Sequence, residues 1–70
     1  MEPHVERMLN EQVELCNKIV KLGQFISKNP IFDTLSKDEQ YDMKLQHKSM
    51  TMYMDVLQHR IDRALAQKSL

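Results

Sequence analysis

Seventy residues, with ten Lys and Arg set against ten Asp and Glu, make one small and electrically balanced domain. The balance argues against a surface that coats long nucleic acid, where a clustered basic excess is expected. The single cysteine, Cys16, excludes an internal disulfide, and the three histidines lack the spacing of a zinc set. Chains of this size bury a small fraction of their surface and usually rely on a disulfide, a metal or association for stability. Association is the device left, so a homo-oligomer is expected. No run approaches the roughly 18 apolar residues of a membrane span. A lone reduced thiol and the lack of a secretory leader pattern lead us to expect a soluble, cytoplasmic protein.

With one glycine and two prolines the chain has almost no punctuation, and the expected class is all-α. A first helix is predicted over 3–28. Pro3 suits a first helical position, and Asn29-Pro30 ends the pattern. Val5, Met8, Gln12, Leu15, Ile19, Leu22 and Ile26 follow at alternating spacings of three and four, the seam of a coiled coil. Leu9, Val13, Cys16, Val20 and Gly23 repeat that alternation about a quarter to a third of a turn away. One helix therefore asks for two neighbours.

Residues 29–35 are predicted as a loop whose Ile31, Phe32 and Leu35 plug the closed end of a hairpin. Ser36 and Glu39 form a capping-box pattern that opens a second helix, expected over 36–66. Its main stripe holds Met43, His47, Met50, Met54, Leu57, Ile61 and Ala64. Tyr41, Leu45, Met52 and Val56 fall roughly opposite on a 100° wheel. A short connection makes the two helices antiparallel neighbours, so the expected architecture is an antiparallel helical hairpin assembling as a dimer or higher symmetric oligomer. Leu9, Val13, Cys16, Val20, Tyr41, Leu45, Met52 and Val56 are the expected oligomer interface.

Nothing in the sequence argues for catalysis or a cofactor. No two histidines stand at i, i+4 on one helix, His47 lies on the core stripe, and Cys16 belongs to an apolar seam where a buried thiol is inert. Acids such as Asp38, Glu39 and Asp42 sit where a helix N-terminus favours them. Basic residues are more suggestive. In an antiparallel hairpin, positions summing to about 65 lie level, which gathers Lys18, Lys21, Lys44 and Lys48 at the middle and Arg7, Arg60 and Arg63, with His4 and His59, at the open end. Repeated by symmetry, either group would surround a small anion, and Tyr41 or Tyr53 could stack on a base. Lys18, Lys21, Lys44, Lys48, Tyr53, Arg60 and Arg63 are thus the candidate ligand contacts. The same residues also fit solvated faces with ion pairs such as Glu14 to Lys18.

Arg7-Met8 with Glu11, Lys21-Leu22 with Phe25-Ile26, Pro30 with Phe32 and Leu35, Glu39-Gln40, then Met50, Tyr53, Val56-Leu57 and Arg60-Ile61 together resemble a family of short phage-encoded hairpin proteins, some from crAss-like phages. In size and form the chain is also distantly similar to phage sponges that take up the nucleotide signals of CBASS and Thoeris immunity. That resemblance implies a phage anti-defence protein in the infected bacterial cytoplasm. It would hold a cyclic oligonucleotide or cyclic ADP-ribose-type signal without turnover, and it carries over no site residue. The alternative is a module whose outer apolar stripe docks on a host or phage protein.

Overall fold

A computed structural model of the protein describes residues 3–69. Helix α1 spans Pro3–Lys28, the short α2 spans Pro30–Thr34, and α3 spans Lys37–Ser69. The long helices α1 and α3 pack along each other as an antiparallel hairpin, giving a rod of 53 × 15 × 15 Å. α1 has the bounds expected from Pro3 and the Asn29-Pro30 break. α3 runs three residues past the expected end at 66, because the sequence there contains no Gly or Pro to stop it.

The segment 29–35 differs from the expected loop: five of its residues form a turn of helix. Asn29 is the cap that makes this possible, its Oδ1 accepting from the Ile31 amide at 2.9 Å while Pro30 occupies the first helical position. The far end of α2 is held by Gln40, whose Nε2 donates to the carbonyls of Phe32 at 3.0 Å and Leu35 at 3.2 Å. Ser36 caps α3, its Oγ accepting from the Glu39 amide at 3.1 Å. Among the described residues the Glu39 side chain makes no return bond, so only half of the expected capping box forms.

Phe32 plugs the closed end, buried and edge-on to Phe25 with ring centroids 6.3 Å apart. Ile31, expected beside it, points to solvent. The helical turn of α2 separates neighbouring side chains by about 100°, so both cannot face inward.

Each residue of the two predicted main seams is buried or half-buried. Val5, Met8, Leu15, Leu57 and Ile61 form the fully covered core, with Leu9, Ile19, Met50, Met54 and Ala64 packed on it. The register places Glu11 by Tyr53, Gln12 by Gln58 and Gly23 by His47, close to the level pairing expected from the sequence. Among the described residues the His47 side chain makes no hydrogen bond. Its ring lies against the bare backbone of Gly23, where a Cβ would stand 3.0 Å from Nε2.

The second stripes are left uncovered within one hairpin. Val13, Val20, Tyr41, Leu45, Met52 and Val56 are about half exposed or more, and Leu9 is half-buried. Cys16, expected to be a buried thiol, is exposed as well, since no second element of this chain reaches that side of α1. No helix is long and apolar enough to cross a membrane.

Candidate functional site

Two helices in contact leave a valley on each side of their seam, and which side chains line each valley follows from the 100° step between residues. On one side, α1 contributes His4, Glu11 and Lys18, and α3 contributes Gln46, Tyr53 and Arg60. Both concavities described below open on this side. On the other side lie Gln12 and Gly23 of α1 with His47 and Gln58 of α3, and the amide of Gln12 donates there to Gln58.

The first concavity, at the open end, encloses about 230 Å³ between His4, Met8, Arg60, Arg63, Ala64 and Gln67. Met8 and Ala64 form its floor, while two guanidinium groups, an imidazole and an amide supply donors at its rim. Guanidinium groups present paired N–H donors that match phosphate or carboxylate oxygens. The second concavity, nearer the middle, encloses about 580 Å³ between Leu15, Lys18, Lys21, Leu22, Gln46 and Met50. Its floor of Leu15, Leu22 and Met50 is apolar, and Lys18 and Lys21 belong to its lining. A cavity with an apolar floor and a few placed cations suits a ligand that is part ring and part anion.

Tyr53 stands between the two, donating from its hydroxyl to a carboxylate oxygen of Glu11. That hydrogen bond holds the phenol above the ordinary tyrosine value of 10.0, because ionising it would lose the bond and set two anions side by side. Arg60 acts weakly in the opposite direction.

The candidate contacts read from the sequence therefore divide. Arg60 and Arg63 come together with His4, and Lys18 and Lys21 come together over Leu15 and Leu22. Lys44 and Lys48 are level with Lys18 and Lys21 but stand on the opposite flank of α3 from Gln46, so one hairpin does not gather all four ammonium groups. Lys44 instead lies over the Phe32 ring, 5.8 Å from its centroid. Three residues escaped the sequence reading: Gln46, Gln67 and, as the partner of Tyr53, Glu11. Glutamine carries no charge to flag it, and the Glu11 to Tyr53 pairing depends on an inter-helix register that spacing fixes only to within a turn. Among the described residues no three His, Cys, Asp or Glu side chains stand close enough to hold a metal ion.

The molecule is thus a two-helix hairpin with two cation-edged concavities on one side and uncovered apolar stripes elsewhere. A family model described as Sequestin matches residues 2–63, most of the chain, and the protein belongs to the Sequestin family. The family's name is consistent with sequestering a molecule. Neither a curated protein nor a solved structure matches the chain.

Proposed function

We propose that this protein is a phage anti-defence sponge: a homo-oligomer that sequesters a cyclic nucleotide immune signal, a cyclic oligonucleotide or cyclic ADP-ribose-type molecule, in its pockets without turnover. Its place of action would be the cytoplasm of the infected bacterium. The observation that carries the reading is the shared face on which an arginine-lined concavity and a lysine-edged apolar groove flank Tyr53. Such a face offers donors for phosphate and a floor or an aromatic ring for a base. Sequestration needs only this, since tight binding by itself lowers the free concentration of a signal by one molecule per site.

The test is a thermal-shift screen of the purified protein against cyclic di- and trinucleotides and cyclic ADP-ribose isomers, followed by heat denaturation and chromatography of the released ligand. The expected outcome is a raised melting temperature for at least one compound, recovered chemically intact in stoichiometric amount. Recovery of a cleaved product would make the protein an enzyme and overturn the reading, as would the absence of binding by any member of the panel.

A second reading has its own support. Tyr41, Leu45, Met52 and Val56 present an apolar stripe on the back of α3, with exposures from 48% to 65%, of a kind that docks into the groove of a host or phage protein. Binding through phosphates weakens with added salt, whereas docking through this stripe does not.

A further inference from the structure

The chain as a whole is neutral, but its charge is spread unevenly along the rod. Residues 15–22 of α1 and 43–50 of α3 hold Lys18, Lys21, Lys44 and Lys48 and not one of the ten carboxylates, so these stretches carry +4 and the remainder −4. The two stretches are level with each other, since Leu15, Lys18 and Lys21 line one groove with Gln46 and Met50. Eight residues of helix make a segment about 12 Å long. A rod only 15 Å thick thus wears a carboxylate-free collar, with Lys18 and Lys21 on the groove side and Lys44 and Lys48 on the opposite flank of α3.

Local pairing does not cancel this charge. Only Lys18 has an acid three or four residues away, Glu14, and among the described residues none of the four ammonium groups makes an ion pair. Lys44 lies over the Phe32 ring instead. The open end differs, because Arg60 and Arg63 share their turn of α3 with Asp62.

Four unit charges about 10 Å from a dianion, screened over a Debye length of about 8 Å, raise its local concentration about fivefold and leave a neutral molecule unaffected. A monoanion gains only about twofold, and removing one of the four lysines changes the dianion's gain by less than about twofold. The acids beyond the collar confine the effect to its neighbourhood.

We infer that the collar concentrates small multiply charged anions at the middle of the hairpin, and that Lys44 and Lys48, which do not line the groove, serve there by charge rather than by contact. For its use the collar rests on the proposed function, and it narrows the ligand class to molecules with two or more negative charges, a cyclic dinucleotide or a cyclic ADP-ribose-type compound rather than a cyclic mononucleotide.

The test needs no nucleotide. In a Cys16→Ser background, Gln46→Cys places a thiol in the groove, Asn17→Cys a second one on the collar, and Asn10→Cys a control among the acids of the open-end half; all three positions are exposed. Each variant is reacted with dianionic 5,5′-dithiobis(2-nitrobenzoate) and with neutral 2,2′-dithiodipyridine. The thiolate fraction enters both rates and cancels in their ratio, which reports the local enrichment of the dianion. The ratio for Gln46→Cys and Asn17→Cys should exceed that for Asn10→Cys by about threefold or more near 0.15 M salt, and the excess should vanish near 1 M, where the Debye length is about 3 Å. Lys44→Gln with Lys48→Gln should lower the ratio at Gln46→Cys, and Lys44→Arg with Lys48→Arg should keep it. Equal ratios at the middle and the end, or an excess that survives 1 M salt, overturn the collar. Equal losses in the glutamine and arginine pairs overturn action by charge. A collar found in a protein that binds no cyclic nucleotide leaves this inference standing and overturns the sponge, whereas a nucleotide bound without a collar does the reverse.

Discussion

The two ends of this hairpin are built differently from similar seams. Toward the open end, Val5, Met8 and Leu15 close against Leu57 and Ile61, the last two almost wholly shielded from solvent. From Ile19 toward the closed end the facing residues are Met43, His47 and Met50 against Ile19, Leu22, Gly23 and Ile26, and all of them are only half-buried. Four of the five core residues of the first region, all but Met8, are branched side chains with few rotamers. In the second, the α3 side consists of two flexible thioethers and an imidazole, with a glycine facing them, and there the larger groove opens between Leu15, Leu22 and Met50. Rigid packing thus holds the hairpin shut beside the chain ends, and adaptable packing leaves a cleft in the middle.

The largest expected effect tests that difference directly. Leu57→Ala should cost about 2–5 kcal/mol, a large share of the roughly 4–10 kcal/mol available to a domain of this size. The variant should therefore be mostly unfolded or melt far below the parent in urea titration followed by circular dichroism. Met50→Ala, at the edge of the groove, should cost less than half as much. Equal losses would show that the two regions are packed alike.

Next in size are the ligand contacts. With whichever cyclic nucleotide binds, calorimetry should show Lys18→Ala and Arg60→Ala each weakening affinity by about tenfold or more, since a charge-assisted hydrogen bond contributes about 1.5–3 kcal/mol. Lys48→Ala, on the other side of α3, should bind as the parent does. Full affinity in Lys18→Ala with a loss in Arg60→Ala would confine the ligand to the open-end concavity. A loss in Lys48→Ala would mean that the site is assembled between subunits.

Smaller still is the response to alkali. The neutral Tyr53 phenol donates to Glu11, and its affinity for its proton is raised in the folded chain, so the stabilisation from this bond is complete below pH 10 and is lost as pH rises through the raised value. Melting temperatures measured between pH 8 and 11 should fall more steeply for the parent than for Tyr53→Phe. Parallel curves would show that the bond contributes nothing in solution.

The smallest change expected is at Gly23. Alanine should gain about 0.8–1.0 kcal/mol in helix propensity, but its Cβ would meet His47 Nε2 at 3.0 Å and push the ring outward. The two effects oppose each other, and Gly23→Ala should lie within about 0.5 kcal/mol of the parent. A clear loss would show that the His47 ring has no room to yield, making the middle of the hairpin stiffer than its residues suggest.

How much of this was legible beforehand depends on the range of the interaction concerned. The all-helical class, the bounds of α1, the start of α3, both buried seams and the two bare stripes follow from helical periodicity and capping residues, which act over at most a few turns. The helical turn at Pro30–Thr34, with Phe32 inward and Ile31 outward, was missed, because its far end is held by Gln40, a side chain from the next helix. The grouping of cations was legible in level but not in side. Register along a hairpin is set by seam spacing. Whether Lys44 and Lys18 share a valley is set by the rotation of each helix about its axis, and the packing of Gly23 against His47 and of Leu57 and Ile61 against Val5 fixes that rotation. Periodicity along the chain thus determined what this protein would bury, while the meeting of the two helices decided which charges lie together and where a cleft remains.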